Sequence, residues 1–102
     1  MKEYQRVAAW VDLDAIEENF DAMKAVLPAG TQIAAVVKAN GYGHGAVPVA
    51  RMIEPKDYIW GFAAATIEEA LALREHGIRK PVLVLGYVFP EDYPLLVSRD
   101  IR

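Results

Sequence analysis

Lys38 closes an apolar stretch, residues 33–37 (IAAVV), and is followed at once by ANGYGHG. In parallel α/β folds, the carboxyl end of a buried strand is where ligands bind. Desolvation at such a place favours a neutral amine, a nucleophile able to condense with an aldehyde. Gly41, Gly43 and Gly45 let the backbone turn sharply or approach a ligand closely. Tyr42, set between two of these glycines, could offer its hydroxyl to an anion. The start of the next helix would add free amides and a positive dipole end. Taken alone, these residues also fit a snorkelling strand-end lysine followed by an ordinary tight turn. The spacing matches neither the GxGxxG nor the GxxxxGK[ST] fingerprint, so a nucleotide reading has no motif behind it.

Other chemistry is thinly represented. The 102 residues contain no cysteine and two histidines, His44 and His76, which leaves no disulfide scaffold, thiol nucleophile or zinc-type ligand set, and no metal is expected. The acidic group Asp12, Asp14, Glu17 and Glu18 reads as a helix cap with a solvated face rather than as paired catalytic carboxylates. Trp10, Trp60 and Phe62 read as core, as do Leu83 and Leu85. A net charge of −3 gives no electrostatic footprint for nucleic acid or an anionic membrane. No apolar run approaches the roughly 20 residues of a membrane helix, and the charged residues 1–6 do not open a secretory signal. The expectation is a soluble, cytoplasmic protein.

The positioning elements follow from pattern. Strands are expected at residues 7–13 (VAAWVDL), 33–37, 58–64 (YIWGFAA) and 82–85 (VLVL). The last three are nearly continuous in apolar character, as in strands buried on both faces of a parallel sheet. A first helix is capped by Asp14 with Glu17 three residues on, and carries Ile16, Phe20, Met23 and Leu27 on one face until Pro28 and Gly30. A second covers residues 45–53 if Pro48 lies in its first turn. Thr66 and Glu69 form a clear capping box for a third, which ends at Gly77. A fourth starts at Pro90. The order β-α-β-α-β-α-β-α argues for right-handed parallel βαβ units, in either an open doubly wound sheet or a closed barrel. A full (β/α)8 barrel needs about 250 residues.

The string VVKANGYGHG closely resembles the pyridoxal-phosphate attachment motif of bacterial alanine racemases, whose commoner form has alanine in place of Gly41. WVDLDAIEENF resembles that family's opening strand and first helix, WGFAAATIEEALALREHGI its next strand and helix, and PVLVLGYVFPED the strand and loop after that. The resemblance spans essentially the whole chain. It implies an α/β fold, the opening part of a (β/α)8 TIM-type barrel with about four parallel strands and four helices. Residues 1–102 would then be an incomplete N-terminal portion of the barrel domain, without the family's C-terminal β-domain.

The resemblance also implies an isomerase that interconverts L- and D-alanine with pyridoxal 5'-phosphate, supplying D-alanine for cell-wall peptidoglycan. Lys38 matches the lysine that holds the cofactor as an internal aldimine and serves as one of two catalytic bases. Tyr42 matches a tyrosine hydrogen-bonded to the cofactor phosphate. Asn40 and His44 are expected to shape the turn rather than do chemistry. The family's second base is a tyrosine from the partner of a homodimer, and other cofactor and substrate contacts come from later segments, so this chain alone is expected to be inactive. Serine racemases of vancomycin-resistant bacteria share the attachment motif, so substrate choice stays open. A pyridoxal-phosphate-binding module without turnover is the other alternative. Cofactor-carrier proteins that also use a barrel lysine lack the ANGYGHG continuation.

Overall fold

The computed structural model describes residues 7–102. The chain runs α1 (Leu13–Ala25), β1 (Ile33–Val36), a short helical turn α2 (Lys38–Tyr42), α3 (Ala46–Ile53), β2 (Ile59–Ala64), α4 (Ile67–Glu75), β3 (Val82–Val84), a 3-10 turn (Pro90–Asp92) and α5 (Tyr93–Ser98). The three strands form a parallel sheet in the order β1-β2-β3. Ile101 bridges to Val82 in parallel, and the amides of Val84 and Arg102 donate to the carbonyls of Arg102 and Val82 respectively. This isolated bridge lies beside β3.

The sequence expectations hold for the strands around 33–37, 58–64 and 82–85 and fail at 7–13. No strand forms over residues 7–12, and Trp10 is 91% exposed rather than core. Valine and tryptophan favour strands through packing on neighbours, and no described strand lies beside them. The first helix begins two residues earlier than the Asp14 box implies. Asp12 is its N-cap, with Oδ1 accepting from the Ala15 amide at 3.1 Å. Of the apolar face read from this helix, Ile16 and Phe20 pack on the core, while Met23 and Leu27 are partly exposed, at 47% and 36%. In the third predicted helix, Thr66 Oγ1 accepts from the Glu69 amide at 3.2 Å, but the Glu69 carboxylate does not return to Thr66.

The core lies between the sheet and its helices. Phe62 and Val82 from the sheet, Val49 and Ile53 from α3, and Leu73 from α4 are all buried. β1 is covered on one face only: Ala35 is buried, while Ala34 and Val36 are exposed. The expectation of two buried faces is therefore met along β2 and not along β1. Gly61 has a local reason for its identity, since a Cβ there would run into the Pro81 carbonyl oxygen. Lys80 Nζ donates to the carbonyls of Lys56 and Ile59 at 2.7 Å each, tying the loops at the amino ends of β2 and β3.

Candidate functional site

Lys38 stands at the carboxyl end of β1, two residues past Val36, and is half-buried. It joins none of the salt bridges found among the described residues. The backbone after it takes an uncommon course. Ala39 (φ 52°, ψ 46°), Asn40 (53°, 45°), Gly41 (67°, 36°) and Tyr42 (φ 56°) form a left-handed run, and Gly43 continues at φ 90°. Only glycine adopts this region freely. Each of the other residues costs about 1–2 kcal/mol there, with asparagine the more tolerant. Something must hold the run in place.

Local bonds supply part of the hold. The Gly41 amide donates to the Val37 carbonyl at 2.8 Å and the Gly45 amide to the Asn40 carbonyl at 2.8 Å. Asn40 Oδ1 accepts from the Ala46 amide at 3.0 Å, satisfying a free amide at the start of α3. His44 lies 3.0 Å through Nδ1 from the Gly41 carbonyl. The expectation that Asn40 and His44 shape the turn agrees with these contacts. Pro48 is the third residue of α3, within its first turn, as its missing amide requires.

One hold comes from a distant element. Glu69, in the first turn of α4, accepts from the Ala39 amide through Oε2 at 2.9 Å and from the Ala65 amide through Oε1 at 2.7 Å. Sequence reasoning gave Glu69 a helix-cap duty alone. A capping-box glutamate points back toward the strand before its helix, and so toward the sheet's carboxyl edge, which is the one sequence signal for this contact.

Tyr42 is 61% exposed on the same turn. Leu83 is half-buried and Leu85 is 54% exposed, so Leu85 is not the core residue expected. An apolar cavity of about 200 Å³ lies behind the turn, lined by Val37, Asn40, Val47, Ala64, Glu69 and Leu73 among others; Lys38 does not line it. A second charged group sits away from Lys38. Tyr58 donates to Asp21 Oδ1 at 2.6 Å, and Lys56 pairs with Asp21 at 3.1 Å and with Glu17 at 3.7 Å. The Tyr58 hydrogen bond, then Lys56, holds the Asp21 carboxyl below its ordinary range. Partial burial and Asp21 push the Tyr58 hydroxyl up. Hydrogen bonding to Asp21 raises Lys56. This group joins α1 to the loop before β2. Glu17 and Asp21 are therefore held by a lysine, whereas Glu18 is exposed as expected of a solvated face.

A parallel sheet with helices packed against it and a lysine at a strand's carboxyl end defines an α/β protein of the βαβ class. Residues 11–102 match the family described as "Alanine racemase, N-terminal domain", and the chain belongs to that family. It is 46% identical over 94 residues to an alanine racemase of Symbiobacterium thermophilum, covering 92% of this chain and 24% of that protein. The crystal structure of alanine racemase from E. faecalis superposes with a TM-score of 0.83 at 45% identity, covering 89% of this chain and 24% of that one. An alanine racemase of Clostridium difficile 630 in complex with cycloserine gives 0.85 at 35% identity, with the same coverages. The chain thus spans about a quarter of the length of the relatives it matches.

Proposed function

We propose that this chain is the cofactor-lysine segment of an alanine racemase, an isomerase that interconverts L- and D-alanine with pyridoxal 5'-phosphate carried on Lys38 and supplies D-alanine for peptidoglycan. The observation that carries the reading is the placement of Lys38 at the strand's carboxyl end, directly before the left-handed turn, in a chain of this family. The residues present fit the group. Lys38 is a primary amine outside the described ion pairs, and Tyr42 presents a phenol on the adjoining turn.

When bound, pyridoxal phosphate supplies the electron sink that makes loss of an amino acid's α-proton feasible near neutral pH. Lys38 is the residue that would hold the group through Nζ, and as a free amine it would serve as the base on one face of the substrate's α-carbon. Tyr42 would donate a hydrogen bond from Oη to the phosphate. The second base, on the other face, comes from a partner subunit in a homodimer. Residues 11–102 belong on this reading to the N-terminal barrel domain of such an enzyme, and the setting is cytoplasmic.

The test is a hybrid enzyme. Residues 11–102 replace the matching segment of the E. faecalis racemase, and conversion of each alanine enantiomer is followed. The hybrid is expected to racemise alanine, with Lys38→Ala lowering kcat at least about 100-fold. A hybrid that folds and binds the cofactor yet racemises nothing would overturn the reading. Serine assayed alongside separates an alanine racemase from a serine/alanine enzyme. Cofactor binding without turnover would leave the module reading.

A further inference from the structure

We infer that Glu69 is a positioning residue for Lys38, its carboxylate acting as a two-ended strut that locks the first peptide of the left-handed turn; the Lys38 part of this rests on the cofactor reading above. The Ala39 amide belongs to the same peptide unit as the Lys38 carbonyl. Fixing it fixes the orientation of the backbone that leaves Lys38 and enters the run at φ 52°. The other end of the strut holds the Ala65 amide, just past β2. β2 is itself locked to β1 by the Val37 amide on the Ala63 carbonyl at 2.9 Å. One side chain, 30 residues along the chain from Ala39, thus references the lysine turn to the central strand.

The chemistry of the strut is specific to glutamate. Two amides donate to two separate oxygens, so both oxygens must be acceptors. Gln offers one acceptor oxygen and an NH2 that faces an amide donor, so it keeps one end at most. Asp keeps both oxygens but is a methylene shorter. Charge-assisted bonds are the stronger kind, and releasing one amide from such a bond speeds its exchange about tenfold or more. A plain helix-stabilising role would involve Thr66 and the first turn of α4 and would leave Ala39 alone.

The experiment measures amide hydrogen exchange by NMR in the full chain. Borohydride fixation of pyridoxal phosphate on Lys38 is measured in the same samples, relative to Lys24. The variants are Glu69→Gln, Glu69→Asp, Thr66→Ala and the exposed-neighbour control Glu68→Gln. Exchange is expected to rise about tenfold at Ala39 in Glu69→Asp, and at Ala39 or Ala65, whichever end loses its acceptor, in Glu69→Gln; the Lys38-to-Lys24 labelling ratio falls severalfold where Ala39 is freed, with neither change in Thr66→Ala or Glu68→Gln. Unchanged Ala39 exchange in both Glu69 variants, or an equal rise in Thr66→Ala, overturns the strut. Faster Ala39 exchange with an unaltered labelling ratio overturns the positioning of Lys38. A wild-type chain that takes no label on Lys38 overturns the cofactor reading instead, and Ala39 exchange then decides the strut alone. If Glu69→Gln fails to fold, Glu69→Asp carries the comparison.

Discussion

Ala39, Asn40 and Tyr42 each occupy a backbone region that their Cβ atoms resist. The cost is specific to each side chain, so substitutions there read the turn directly. Gly41 sits at φ 67°, and a Cβ there would lie 3.3 Å from the Ala46 amide nitrogen. Gly41→Ala, which restores the commoner residue of the resembling motif, is expected to cost about 1 kcal/mol in urea unfolding, and the β-branched Gly41→Val more. The charged group on α1 makes a pH prediction. Asp21 has a depressed folded-state pKa, so its contribution is present above the ordinary carboxylate pKa and is lost as pH falls through the folded value. Tyr58 has a raised one, so its contribution is present below the ordinary phenol pKa and is lost as pH rises through the folded value. Stability is therefore expected to be level near neutrality and to decline below about pH 4 and at strongly alkaline pH, with Asp21→Asn flattening the acid limb of a melting-temperature profile. The candidate site was legible in part at this scale. Lys38 and the glycines stood out from the sequence. The left-handed run did not, because its local bonds form only once the turn is folded, nor did the Glu69 contact, which joins the turn to an element 30 residues away.

Among the elements, the helices and inner strands were readable because each has local punctuation: Thr66 before α4, Gly77 after it, and Pro81 before β3. Residues 7–12 carry an equally strong strand composition and form none, because a strand exists only by pairing, and pairing is not a local property. The joints between elements are also invisible to pattern. Arg74 donates from Nη1 to the carbonyls of Ile78 and Lys80, from Nε to that of Arg99 and from Nη2 to that of Asp100, at 2.7–2.9 Å. It thereby fixes the loop before β3 and the approach to Ile101 together. A lysine keeps the charge but cannot reproduce a planar fork. Arg74→Lys is expected to lower stability by about 1–3 kcal/mol in urea unfolding, most of it recovered by no other single cation at that position. Gly61→Ala is expected to cost a similar amount, about 1–3 kcal/mol, by forcing β2 away from Pro81.

The described molecule is an open slab, 44 × 44 × 21 Å, with a radius of gyration of 15.4 Å. A compact domain of this length would have about 13 Å. The excess follows from a sheet covered by helices without closure. β1 has one paired neighbour among the described residues, and Val36 is 41% exposed on its uncovered face. The barrel class was legible from alternating strands and helices together with the motif.

The most direct measurement mixes the purified chain with pyridoxal phosphate, reduces with borohydride, digests, and maps the mass shift. The account predicts a shift concentrated on Lys38 and absent in Lys38→Ala. Label spread evenly over Lys24, Lys38, Lys56 and Lys80, or unchanged by the substitution, would contradict it.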